Sequence, residues 1–176
     1  MITVATLSLA GCFGCHMSLL DMDEDFIELS RHLTFDRSPL TDIKTLGRCD
    51  IGLVEGGVGN TENLHLLQEF RNQCDILVAV GACATTGGIP ALRNSLLLQD
   101  CLEQVYVKGP GLHQPQIPLD PELPPLFDQL RPLPEWVAID YFLPGCPPPA
   151  EMFRRFFEQL MSGQSIAFDQ DSLHYD

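Results

Sequence analysis

Four cysteines stand where chemistry could be done: Cys12 and Cys15 in Gly11-Cys12-Phe13-Gly14-Cys15-His16, Cys83 in Gly81-Ala82-Cys83-Ala84-Thr85-Thr86-Gly87-Gly88, and Cys146 in Pro144-Gly145-Cys146-Pro147-Pro148-Pro149. Thiolates are soft metal ligands and nucleophiles, so this set allows three chemistries. Four of them satisfy an iron–sulfur cube and, equally, a tetrahedral structural zinc. Cys12 and Cys15 alone have the C-x-x-C spacing of a dithiol oxidoreductase, a reading that leaves Cys83 and Cys146 without a purpose. Zinc ribbons present two close pairs on local turns, whereas here one close pair is followed by two lone cysteines, after 67 and then 62 intervening residues. Glycines beside each thiol let backbone N–H groups approach sulfur with no Cβ in the way, and such hydrogen bonds tune the potential of a cluster. Pro147, directly after Cys146, matches the proline that closes bacterial ferredoxin runs. The pattern favours a cube, with a zinc-stabilised interaction module as the alternative.

The elements that must carry these loops can be read from hydrophobic patterning. Ile2–Leu9 is a buried first strand ending at Gly11, and His16 to about Arg31 is a helix with an acidic flank at Asp21, Asp23, Glu24 and Asp25. Ile51–Gly57 is a second strand, with a capped helix from Thr61. Asp75–Gly81 is the clearest buried strand, followed by a loop over 82–88 and a helix near Ile89-Pro90. Val105-Tyr106-Val107 is read as a further strand. Residues 109–134 hold eight prolines and form a long surface connection. Trp136–Leu143 is the last strand and Ala150–Met161 an amphipathic helix, with an acidic tail over about 162–176.

Alternating strands and helices predict one α/β domain over residues 1–176, a flavodoxin-like, doubly wound parallel sheet with helices on both faces. Ligands in such sheets bind outside the carboxyl ends of the strands. Cys12, Cys15, Cys83 and Cys146 all follow strands and converge there, as cluster loops. Cys49, Cys74 and Cys101 precede strands, and are read as small buried apolar residues. Glu55, at a strand's carboxyl end, together with Gly14 and His16, borders the cluster or an interface. His16 has the competing reading of a structural residue in a helix's first turn. FMN is not expected, because the loop after the first strand is occupied by Cys12, Phe13 and Cys15.

Composition narrows the setting. Ten Lys+Arg against 24 Asp+Glu give a formal charge of −14, which repels phosphate backbones and anionic lipid surfaces. Nucleic acid and membrane insertion are therefore excluded as expectations. Leu9-Ala10-Gly11-Cys12 spells a lipidation box, yet the first Arg or Lys is Arg31, so no secretory leader is read. An odd count of seven cysteines does not suggest a secreted disulfide framework, and a reducing, cytoplasmic compartment is expected.

Taken together, Gly-Cys-Phe-Gly-Cys-His-Met-Ser (11–18), Val-Glu-Gly-Gly-Val (54–58), Gly-Ala-Cys-Ala-Thr-Thr-Gly-Gly-Ile-Pro-Ala (81–91) and Pro-Gly-Cys-Pro-Pro-Pro (144–149) resemble the small subunit of [NiFe] hydrogenases. The nearest likeness is to the short small subunit of the cytoplasmic bidirectional, NAD(P)-linked enzymes. That resemblance implies one [4Fe–4S] cluster on Cys12, Cys15, Cys83 and Cys146, with Glu55 matching the family's Glu-Gly motif near the subunit interface. It further implies a hydrogenase large subunit carrying the nickel–iron centre, and diaphorase iron–sulfur and flavin subunits serving NAD(P). The chain would relay electrons within an oxidoreductase and hold no catalytic residue itself. A weaker likeness extends to the small cluster subunit of complex I-like NADH dehydrogenases, where two ligands are adjacent cysteines; Cys12 and Cys15 are not adjacent. An iron–sulfur subunit of another cytoplasmic hydrogenase is the remaining relative.

Overall fold

The computed structural model describes residues 1–168. In chain order its regular elements are β1 (Ile2–Ser8), α1 (Gly14–Leu20), α2 (Glu24–Ser30), β2 (Leu33–Phe35), β3 (Cys49–Glu55), β4 (Val58–Asn60), α3 (Thr61–Gln73), β5 (Cys74–Val80), α4 (Gly81–Thr86), α5 (Leu98–Tyr106), β6 (Leu126–Arg131), β7 (Tyr141–Leu143) and α6 (Ala150–Met161), with 3₁₀ turns at Ile89–Ser95 and Leu133–Glu135. Five strands form one parallel sheet in the order β2-β1-β3-β5-β7. Counting only these strands, the order is 2-1-3-4-5, the flavodoxin-like winding. The predicted fold class is therefore observed.

Side chains that alternate along each strand split between two cores, because successive residues face opposite sides of a sheet. Val4, Ile51, Leu53, Val78 and Val80 face α1, α2 and α6, where Phe153, Phe156 and Phe157 are wholly buried. Ala5, Leu7, Leu77 and Ala79 face α3 and the segment around Leu133 and Trp136. Both faces are thus covered, as near-continuous apolar strands require. Asn60 caps α3, its side-chain oxygen accepting from the Asn63 N–H at 2.7 Å. Arg71, in the last turn of α3, donates to the Cys74 and Asp75 carbonyls and to Asp140, and Asp140 in turn accepts from the Leu77 N–H at 2.7 Å. This clamp fastens the approach to β7 against the start of β5.

Several expected boundaries differ. The helix expected over 16–31 is two helices, beginning at Gly14 and broken at Asp21–Asp23, where Asp23 has φ 50°. Aspartates favour caps over helix interiors, and the acidic run divides the segment. Val105-Tyr106-Val107 is not a strand: Val105 and Tyr106 end α5, which also contains Cys101. Apolar Leu98, Leu102 and Val105 repeat at helical spacing, and that phase overrides the β preference of a short triplet. The loop expected over 82–88 is mostly α4. Within 109–134 lies β6, which pairs antiparallel with β4 as a separate two-stranded ribbon, so its prolines flank the strand rather than fall in it. The strand expected from Trp136 is confined to Tyr141–Leu143.

α6 has the predicted bounds. Beyond it, Gln159 makes reciprocal hydrogen bonds with the backbone of Ala167, and Ile166 and Phe168 pack on the core. The rest of the acidic tail, 169–176, lies outside the described residues. Among the described residues no helix is long and apolar enough to cross a membrane.

Candidate metal centre

Three of the sheet's carboxyl ends supply the four thiols. Cys12 lies in the turn after β1 and Cys15 in the first turn of α1; between them Phe13 takes a left-handed conformation at φ 67°. Cys83 sits in α4, immediately after β5. Cys146 follows β7. These loops are tied to one another through the backbone. The Ala82 N–H donates to the Gly145 carbonyl at 2.7 Å, and Ala10 and Gly57 exchange bonds of 3.0 and 2.9 Å. Ser18 of α1 donates to the Pro148 carbonyl.

Together the four cysteines line one cavity of about 60 Å³, whose wall also includes Gly11, Gly14, Glu55, Gly56 and Gly145. Cys12 and Cys146 are exposed, while Cys15 and Cys83 are half-buried. The predicted ligands are therefore gathered at one place, and the sheet accounts for it.

Glycine makes the close approach possible. At Gly81, with φ +83°, a Cβ would fall inside 3.0 Å of the Cys15 sulfur. At Gly145, with φ +132°, a Cβ would meet the Pro148 backbone at 2.7 Å. Both positions demand glycine on backbone and on space.

Glu55 is the hub beside the cavity. It is 2% exposed, and Oε2 accepts the N–H groups of Cys15 and His16 at 3.0 and 3.2 Å, while Oε1 accepts from the Ser8 hydroxyl at 2.7 Å. Burial pushes its carboxyl up, but His16, Ser8 and Cys15 outweigh that and hold it below the ordinary value. It is a carboxylate locked in place. His16 is buried and stacked on Phe13, ring centroids 4.6 Å apart. Its Nε2 hydrogen-bonds the Thr6 hydroxyl at 2.8 Å, and Thr6 meets Ser38 at 2.6 Å. Its Nδ1 lies 3.2 Å from Glu55 Oε1, in ionic reach but out of line for a hydrogen bond. His16 thus positions the Glu55 wall; its ring is not one of the residues lining the cysteine cavity.

Burial, then the Glu55 charge, push the Cys15 thiol well above its usual range, with smaller contributions from Cys83 and Cys12. Cys83 is raised by burial, then by Cys146 and Cys12. Cys83 thus lies within electrostatic reach of the other three thiols. Among the described residues no group of three or more His, Cys, Asp or Glu side chains is arranged to hold a single metal ion. Four sulfurs around a cavity suit a polynuclear group, and the donor set fits an iron–sulfur cube.

With that geometry, the chain matches the family described as NADH ubiquinone oxidoreductase, 20 Kd subunit, over residues 12–160. It belongs to that family. Among curated proteins it is 44% identical to the NAD-reducing hydrogenase HoxS subunit delta of Cupriavidus necator, over 99% of this chain and 86% of that one. It is 35% identical, over 93% of its own length, to a subunit of the F420-non-reducing hydrogenase of Methanocaldococcus jannaschii, but spans 57% of that relative. Among solved structures it superposes on a chain of an NAD+-reducing [NiFe]-hydrogenase in the H2-reduced state with a TM-score of 0.97, 50% identity and 99% coverage of both chains. A Ni-Fe-Se hydrogenase of Desulfomicrobium baculatum shares the fold at a TM-score of 0.58 and 15% identity, over 98% of this chain and 68% of that one. The resemblance read from the four motifs is thereby shown.

Sequence reading missed the hydroxyls beneath Glu55. Thr6 and Ser8 are polar at alternate positions near the end of the strand, on one face of it, a period-two signal of a hydrogen-bonded face. Ser18 and Ser38 carry no comparable sign.

Proposed function

We propose that this chain is the electron-transfer small subunit of an NAD(P)-linked [NiFe] hydrogenase, with Cys12, Cys15, Cys83 and Cys146 holding one [4Fe–4S] cluster. The observation that carries the reading is the convergence of these four thiols on one cavity at the carboxyl edge of the sheet. When bound, the cluster supplies a one-electron relay. The chain's own residues do the rest. Glu55 fixes the Cys15 and His16 amides, Gly81 and Gly145 give the sulfurs room, and the Ala82–Gly145 bond holds two of the loops at a constant separation. Exposed Cys12 and Cys146 leave one side of the cavity open, the side on which a large subunit carrying the nickel–iron centre would exclude water.

Electrons then pass to diaphorase iron–sulfur and flavin subunits serving NAD(P), and the assembly works in the cytoplasm. Identities of 44% and 50% to NAD-reducing relatives, against 35% to the Methanocaldococcus one, favour this acceptor over other hydrogenases. The described residues form a single small-subunit domain.

Replacing Cys83 or Cys146 by Ser in the assembled complex tests the reading. The expected result is loss of the cluster's electron paramagnetic resonance signal in reduced protein and loss of hydrogen-dependent NAD reduction. Unchanged turnover with an intact signal overturns the ligand assignment, and stoichiometric zinc in place of iron would favour an interaction module.

A further inference from the structure

At the opposite end of the sheet from the cysteine cavity, two further thiols touch. Cys49 opens β3 and Cys74 opens β5, and the two residues are direct register partners on adjacent parallel strands. Their sulfurs are 2.9 Å apart, inside the van der Waals diameter of sulfur, and both residues are buried at 2% and 4% exposure. Neighbouring strands lie about 4.8 Å apart, within the Cα separation of about 4.4–6.8 Å that a disulfide spans. Gly52 makes room for the pair: a Cβ there would sit 2.7 Å from the Cys74 sulfur.

We propose that Cys49 and Cys74 are a second redox site, a dithiol that peroxide converts to a disulfide bridging the amino-terminal ends of β3 and β5. In the reaction the Cys49 sulfur attacks one peroxide oxygen, the O–O bond breaks, and water leaves with a Cys49 sulfenic acid. The Cys74 sulfur then displaces the hydroxyl as a second water. Two thiols give up two electrons and two protons, and one peroxide becomes two waters. Either sulfur can donate in this contact; with Cys74 as the donor the Cys49 thiol is lowered while the same bond, then burial, raises Cys74, and Cys49 is then the sulfur that attacks. β3 has six residue steps from Cys49 to Glu55, about 20 Å at strand rise, so the pair is remote from the cluster cradle. It does not depend on what that cradle holds.

The protein surface is one residue away from each thiol. Arg48 and Asp75, the residues next to the two thiols, meet at 2.9 Å across the outer surface with side chains 80% and 54% exposed. Cys101, in α5, has no part in this site.

The test uses the full chain within its native complex, purified without air, treated with hydrogen peroxide and quenched with N-ethylmaleimide in acidic denaturant. Trypsin leaves Cys49 alone on the peptide 49–71, and Cys74 with Cys83 on 72–93, where fragmentation assigns the linkage. The expected product is these two peptides joined through Cys49 and Cys74, with maleimide labelling of both thiols reduced at least tenfold and restored by a phosphine reductant. Cys49→Ala should leave Cys74 fully labelled under the same treatment, but the wild-type measurement stands alone if that variant folds poorly. Full labelling of both thiols after peroxide would mean a hydrogen-bonded pair that only fills space, and overturns the proposal. So does Cys49 linked mainly to any other cysteine.

Discussion

Gly81→Ala, set against Gly111→Ala, isolates what the cysteine cradle demands of its walls. Both glycines have left-handed backbones, φ +83° and +76°, so both variants incur the same conformational cost of about 1–2 kcal/mol. They differ in space. Nothing lies within 4 Å of a Cβ at Gly111, whereas at Gly81 it falls inside 3.0 Å of the Cys15 sulfur, with the Gly145 carbonyl oxygen at 3.5 Å. Ordinary contact begins at 3.4 Å, so sulfur or backbone must yield by more than 3.4 − 3.0 = 0.4 Å. Overpacking of that kind adds about 1–3 kcal/mol, for about 2–5 kcal/mol in all at Gly81. Metal–sulfur bonds tolerate displacements of only about 0.2 Å. Gly81→Ala should therefore lose most of its bound iron and its reduced-state resonance signal, and unfold at lower denaturant than Gly111→Ala. Iron content, electron paramagnetic resonance and denaturant melts on the two variants side by side decide it. Equal melts with full iron in both would refute the cradle as described.

Glu55→Gln retains one oxygen for the Cys15 and His16 amides but removes a charge beside the thiols, so the midpoint potential measured by redox titration should rise by on the order of tens of millivolts. Asp140, whose carboxyl burial raises but Arg71 and the Leu77 N–H together hold below its ordinary value, contributes stability that is present above about pH 4 and lost as pH falls through its depressed folded value. Asp140→Ala should thus weaken the fold by about 1 kcal/mol at neutral pH, the charge contribution being discounted for its partial exposure. In melts below about pH 3 the gap to wild type should shrink. Phe156→Ala, at a wholly buried ring that meets Tyr141 and Phe157 edge-on, should lower stability by about 3–5 kcal/mol in a denaturant titration.

Why the cradle is legible in the sequence while its supports are not is a matter of physical range. Strand runs such as Asp75–Gly81 are short, apolar and closed by glycine, and parallel topology then sends every following loop to one edge, so Cys12, Cys15, Cys83 and Cys146 can be grouped without coordinates. α6 is equally clear, since its phenylalanines repeat at helical spacing. By contrast, β2 and β6 are edge or ribbon strands, defined by pairing with β1 and β4 rather than by local pattern. The contact of Cys49 with Cys74 depends on the register between β3 and β5, which nothing local to either segment encodes. Cys101 groups with them only by its position before an apolar triplet, and helical phase removes that triplet from the sheet.

Cys12 follows the first strand of the parallel sheet and Cys146 the last, 134 positions later. Because Cys146 follows β7, the four-thiol cradle is incomplete until β7 has docked against β5. Under the proposed ligand assignment a complete cradle needs both β1 and β7 in place, and the side where Cys12 and Cys146 remain exposed is its open approach. A truncation before residue 146 would leave three of the four proposed ligands and remove α6, whose Phe153, Phe156 and Phe157 fill one of the two cores.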